Sequence, residues 1–344
     1  MLVEKYISEN KYEDAISECI STDHVNLAKL LDIVVNQSQN DLDKKNDLSN
    51  VKPDTKPDKT VRLLCNWLSS NQLREIWNKM SKGNYRWNNI KILSESDKTV
   101  PDYYVIINAP QKDDLYIPEK TIVFQMEPEM EKSPHHWHEW SSPDPKKFLK
   151  VILHKDEYNN NEWHLSKTYD ELKKMRIMKT NNSLSTVLSS KYRDPGHIKR
   201  IDFVKFLEKK DFPVHVYGDN KWEYKDFKGD LPYHCKDNAM FSYKYVFNCE
   251  NRSVKNYYTE KLIDGILAEC LVFYSGCYNA RDFINEKAFV YLELSNFEED
   301  YKKIKTAIEE DWYTQRLPYI REAKAKIMDN LQFFPRLENI LNSI

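Results

Sequence analysis

The residues best placed to do chemistry lie in ENRSVKNYYTEK, from Glu250 to Lys261. Leu262, Ile263, Ile266 and Leu267 give the stretch that follows one apolar face, so a helix is expected there with Thr259 as its N-cap and Glu260 and Lys261 in its first turn. A helix N-terminus offers unpaired N–H groups and the positive end of a dipole, which suits a pyrophosphate. Lys261 would add a formal charge, and Glu260 can accept hydrogen bonds from the two ribose hydroxyls of a nucleotide. Arg200, in HIKRIDFVKFL, carries a guanidinium able to neutralise a leaving diphosphate in bidentate fashion without a metal. Ser189 and Ser190 close the strand-like run SLSTVLSS, where hydroxyls and backbone N–H groups can also meet phosphate. Each feature has a plainer reading as well: a dipole-favouring Glu260, a solvated Lys261, a surface arginine above buried Ile201, Val204 and Leu207, and a simple turn at the serines.

The spacing of these residues resembles the family 10 fucosyltransferases, whose hallmark is a strand ending in (F/C)EN, a short loop, and Y-x-TEK opening a helix. Here the pattern reads Cys249-Glu250-Asn251, then Tyr257-Tyr258-Thr259-Glu260-Lys261, and LIDGILAECLVFYSG resembles the family's continuation. The resemblance spans about 60 to 335 and is strongest from about 185. It implies a C-terminal domain in which Asn251, Tyr257, Glu260 and Lys261 hold a nucleotide sugar together with Arg200, whose R-x-x-F setting resembles the family's helix. It also implies a general base in the strand-end segment TIVFQMEPEM. The family's M-E-S-P is represented by Met126-Glu127-Pro128, which makes Glu127 the first candidate; with the serine absent, Glu129 stays open as the alternative. A carboxylate there would take the proton of an acceptor hydroxyl as it attacks the anomeric carbon.

Two other constellations point elsewhere. His135-His136-Trp137-His138 places three imidazoles within four residues, which suggests a metal. Adjacent His135 and His136 point apart in either regular conformation, however, so an aromatic and polar acceptor loop, with Trp137 and Trp140 able to stack on sugars, is the reading adopted. Asp41-Leu42-Asp43 matches the DxD pattern by which some glycosyltransferases hold a divalent ion, but it stands in a stretch with no aromatic residue. No metal and no cofactor beyond the donor substrate is expected.

The elements that must position these groups follow from periodicity. Leu27, Leu30, Leu31 and Val34 predict a helical module over 1–36, and the Asn, Asp, Lys and Pro-rich stretch 37–59 reads as a disordered linker. From Val61 short apolar runs alternate with amphipathic ones, which predicts α/β layering. Strands are expected at VRLLCNWL, IKIL, DYYVIINA and TIVFQME, with a helix capped near Ser70 between the first two. A second set begins at SLSTVLSS and continues through a helix at His197 to Lys209, then PVHVYG, YKYVFNC and CLVFYSG. The fold class is therefore α/β and GT-B-like: two Rossmann-like doubly wound domains, 60–170 for the acceptor and 171–344 for the donor, facing a cleft, with the helical segment in front.

Composition bounds the rest. Lys+Arg 52 against Asp+Glu 54 gives a net charge of −2, which leaves no global positive field for nucleic acid or an anionic membrane, so any anion must be met locally. Only 6 glycines occur, and neither GxGxxG nor GxxxxGK[ST] is present to cradle phosphate. Six cysteines without regular spacing, no signal-peptide core and no long apolar run predict a soluble, cytoplasmic chain. The function expected is inverting, metal-independent transfer of fucose from GDP-fucose to a glycan or glycoprotein hydroxyl. Three alternatives remain: another nucleotide sugar on the same fold, a non-catalytic nucleotide-sugar binder that recruits a partner or oligomerises through residues 1–36, or a metal hydrolase to which the histidine cluster belongs.

Overall fold

The computed structural model describes residues 59–127, 138–157 and 162–344. The helical module over 1–36, the linker up to 58, Asp41-Leu42-Asp43, Glu129 and His135-His136-Trp137 lie outside those residues, as does the side chain of His138. Pro57–Ile344 forms one compact unit. No helix of the described residues is long and apolar enough to cross a membrane.

Two six-stranded sheets organise this unit. The first contains β1 (Lys59–Cys65), β2 (Arg86–Trp87), β3 (Ile90–Ile92), β4 (Tyr103–Ile107), β5 (Thr121–Phe124) and β6 (Lys150–Ile152), in the spatial order β2-β3-β1-β4-β5-β6. All pairings are parallel except the β2–β3 edge hairpin. Val61, Leu63, Val105, Ile106, Ile122 and Val123 are fully buried. Layers on both faces explain why these strands read as continuous apolar runs rather than as alternating ones. The helix α1 (Ser70–Asn78) is set by a capping box between Ser69 and Gln72, one residue before the expected cap, and buries Leu73 and Trp77.

The second sheet contains β7 (Asn181–Leu188), β8 (Val214–Gly218), β9 (Phe227–Gly229), β10 (Tyr243–Cys249), β11 (Leu271–Ser275) and β12 (Phe289–Tyr291). Its order, β9-β8-β7-β10-β11-β12, is parallel throughout. Counted from β7 this is 3-2-1-4-5-6, the dinucleotide-binding order, and the chain reverses direction across the sheet between β7 and β10. Two helices flank that point, α3 (Pro195–Lys209) after β7 and α5 (Glu260–Leu267) after β10; α2 (Tyr169–Lys174) and α4 (Asp237–Met240) are short connectors. Close packing of α5 needs Gly265, because a Cβ there would stand 2.5 Å from Val272 Cγ2 and 2.9 Å from Val246 Cγ2.

The chain then runs through α6 (Phe297–Glu309), α7 (Trp312–Lys326) and α8 (Phe333–Ser343). Here the structure departs from the expected boundary, which gave everything after 170 to the second domain. Helix α8 packs on the first sheet instead: Phe333 meets Trp77 at 4.7 Å and Phe124 at 5.8 Å between ring centroids, and Trp87 donates its indole N–H to Glu338 at 3.0 Å. Burying two phenylalanines drives this return, since Phe333 and Phe334 are at most 1% exposed.

Candidate active site

A cavity of about 260 Å³ opens at the carboxyl ends of β7 and β10, where the strand order reverses. Crevices outside the carboxyl ends of the strands, at such a reversal, are where open α/β sheets bind ligands. Ser189 follows β7 into it, Arg200 enters from α3, Asn251 follows β10, and Glu260 and Lys261 open α5. Lys191, His197 and Lys236 complete the polar wall. Four cations against one carboxylate on the lining make a local anion site in a chain whose net charge is −2.

Each group is held by its neighbours. Thr259 caps α5 by accepting from the Lys261 N–H. Its own N–H and hydroxyl go to Glu250, at 2.8 and 2.7 Å, and Tyr274 donates to the same carboxylate at 3.2 Å. Lys261 Nζ stands 3.1 Å from Glu260 Oε1 and 3.6 Å from Glu250 Oε2. Burial works against the ammonium, but Glu260 and Glu250 outweigh it and hold its pKa above the ordinary lysine value. Burial likewise opposes the Glu260 carboxylate, yet Lys236 at 3.3 Å and Lys261 keep it well below the usual carboxylate range. Glu250, wholly buried, is raised by that burial. Helix α5 thus begins with a charged lysine between two acids.

Arg200 is 5% exposed. Its Nη2 donates to Ser189 at 2.9 Å and its Nη1 to Asn251 Oδ1 at 3.4 Å, while its Nε is buried without a hydrogen-bond partner. Arg200 is thus anchored to Ser189 and Asn251, both of which line the cavity with it. Helix α3 reaches this position because residue 196 is glycine: a Cβ there would lie 1.8 Å from the Glu250 carbonyl oxygen. The Gly196 N–H donates to the Asn251 carbonyl at 2.9 Å. His197 is buried beside Arg200 and its pKa falls to about 4, chiefly through desolvation, so it is neutral near pH 7.

Two expected donor residues stand elsewhere. Ser190 hydrogen-bonds Asp219 and does not line the cavity. Tyr257 is buried behind it, edge-on to His154 at 5.1 Å, and its pKa is raised well above that of an ordinary phenol by burial and by Glu250, Glu127 and Glu260.

Glu127 comes from the opposite half. Its backbone N–H donates to Gln125 Oε1 at 3.1 Å, and the Met126 N–H to Asn108 Oδ1 at 2.7 Å; both anchors follow strands β5 and β4. Burial raises its pKa, while Lys261 pulls it down and Glu260 pushes it up; Glu127 itself lines a small pocket with Gln125, Ser141 and His154 and not the cavity at the β7/β10 reversal. Beside it the two halves are tied directly. His154 Nε2 pairs with the Met126 carbonyl at 2.7 Å, and Asn256 Nδ2 donates to the His154 carbonyl at 2.7 Å. Glu250 and Lys236 are functional neighbours that the sequence reading did not single out. Glu250 carries a signal in its place at the end of a buried strand; Lys236, in HCKD, carries none and reaches Glu260 only through the fold.

Two α/β halves, each on a six-stranded sheet, with a cationic cavity where the strand order of the second sheet reverses, make up the two-domain α/β fold expected from the sequence. Residues 178–338 match the family model described as glycosyltransferase family 10 (fucosyltransferase) C-term, so this stretch is similar to the C-terminal domain of that family. Among solved structures the chain is similar to an alpha1,3-fucosyltransferase at 15% identity and TM-score 0.48, covering 78% of this chain and 83% of that one. It is also similar to an alpha1,3-fucosyltransferase with GDP, at 16% identity and TM-score 0.44 over 82% and 94%. WaaG, a glycosyltransferase involved in lipopolysaccharide biosynthesis, matches at 10% identity and TM-score 0.45 over 82% and 99%. A search of curated protein sequences found no match.

Proposed function

We propose that the chain transfers fucose from GDP-fucose to a hydroxyl of a glycan or glycoprotein, with inversion at the anomeric carbon. The observation that carries the reading is the cavity at the β7/β10 reversal, where Arg200, Lys236, Lys261 and the capped start of α5 converge on a volume suited to a diphosphate. The guanine and the fucose follow from the family likeness, and the diphosphate from the cavity itself.

In this mechanism the acceptor hydroxyl attacks the anomeric carbon from the side of Glu127, which takes the proton. The bond from that carbon to the β-phosphate oxygen breaks as the new glycosidic bond forms. Negative charge grows on the departing diphosphate, where Lys261, Arg200 and the α5 N–H groups meet it. A partner role for residues 1–36 is a separate proposal that this mechanism does not require.

A thermal-shift screen against GDP, UDP, dTDP and CMP sugars tests the donor, because a ligand that binds the native state alone raises its melting temperature. GDP-fucose should stabilise selectively. Stabilisation by a UDP sugar alone would reassign the donor, and strict dependence of turnover on added Mn²⁺ would overturn the mechanism.

A further inference from the structure

A second set of chemistry-bearing groups stands outside the lining of the cavity at the β7/β10 reversal. Glu162 and His164, on the connector between the two sheets, and His234, in the loop before α4, bring a carboxylate oxygen and two imidazole nitrogens within 4.8 Å of one another. Glu162 Oε1 and His164 Nε2 are 3.3 Å apart. A tetrahedron with metal–ligand bonds of about 2.05 Å has edges of about 3.3 Å, so this pair already has a chelating separation. The His234 ring meets His164 edge-on at 4.0 Å between centroids, and its Nδ1 is buried without a hydrogen-bond partner. His234 holds φ of +53°, a conformation that costs a non-glycine residue energy and persists where the surroundings impose it.

The surroundings orient the first two groups as outer-shell partners orient metal ligands. Trp77 donates its indole N–H to Glu162 Oε2 at 2.9 Å, which leaves Oε1 toward the histidines. The His164 backbone N–H donates to Asp264 Oδ1 at 2.8 Å, fixing the connector to α5. Asp264 also receives Lys236 at 2.9 Å, and Lys236 in turn reaches Glu260 in the donor cavity.

We propose that Glu162, His164 and His234 form a binding site for a divalent transition metal of the zinc type, pinning the interdomain connector to the loop before α4. Two imidazoles and one carboxylate are a donor set suited to such an ion, with a fourth position left to solvent. The site is separate from the diphosphate cavity and takes no part in sugar transfer; its effect is on the stability of the connector.

The test uses the full chain, stripped with a chelator and titrated with Co²⁺, whose visible absorption reports coordination by protein groups. One Co²⁺ per chain is expected, with affinity falling by more than about tenfold in Glu162→Gln and in His234→Ala. Zn²⁺ should raise the melting temperature of the unmodified protein and of neither variant. A double variant of His135 and His136 to Ala should keep the Co²⁺ signal, which separates this site from the histidine-rich loop. Circular dichroism and the urea midpoint of each variant, read in the same samples, show that it is folded and keep the outcome independent of the donor assignment. Substoichiometric Co²⁺ uptake by the unmodified chain, or unchanged uptake by both variants, would overturn the proposal and leave a hydrogen-bonded cluster.

Discussion

Lys261 is the residue on which the donor end of the site turns, because two acids keep it charged inside the protein. On the proposed mechanism, Lys261→Ala removes the cation that meets the leaving diphosphate, and a loss of about 10² to 10³ in kcat/KM is expected from steady-state assays. The same change takes away the ammonium 3.6 Å from the buried Glu250, so the variant's melting temperature should be measured alongside. Glu127 makes a second prediction. A base must be deprotonated to act, and burial raises this carboxyl above its usual range, so kcat/KM should fall as pH drops through that raised pKa. Glu127→Gln should abolish most turnover while still binding GDP in the thermal-shift assay; retention of turnover would exclude the role. A third concerns stability. His197 is neutral in the fold, with a pKa near 4 against 6.5 in the unfolded chain, so the unfolded state takes up its proton first. Folding stability should decline as pH falls from about 6.5 to about 4. Urea midpoints for His197→Gln should show a shallower decline. At this scale the sequence was readable where one residue acts through its own local frame, as Thr259 does in capping α5. Lys236 was not readable, because a lysine in a loop acquires its partners only when α5 arrives from 24 residues further on.

Among the elements, α3 and α5 depend on glycine for close approach. Gly196→Ala would drive a methyl into the Glu250 carbonyl at 1.8 Å and force α3 away from β10. GDP stabilisation should be lost or strongly reduced in that variant, with circular dichroism showing whether the helices persist. The chain contains only 6 glycines, and this one serves helix packing at the donor cavity rather than a phosphate-cradling loop. The absence of GxGxxG therefore says nothing against a Rossmann sheet here. Long strands such as β7 and β10 were legible because seven or eight residues suffice for an apolar pattern. The edge strands β2, β6, β9 and β12 have two or three residues, too few for any periodicity, and their pairing follows from the sheets that accept them.

For the whole molecule, the return of α8 to the first sheet is the feature that sequence order concealed. Nothing local in FFPRLENILNS names its partner, since an amphipathic helix shows how much apolar surface it must bury and not where. The tie between His154 and Asn256 was hidden for the same reason, being made of residues 102 apart. Its position has a mechanical consequence. A pair of shears is hinged close to where the blades first meet, so the handles travel far while the metal near the rivet scarcely moves. With the rivet beside Met126 and Tyr257, rocking of one half against the other would widen the outer mouth of the cleft and leave the residues next to the tie nearly in place.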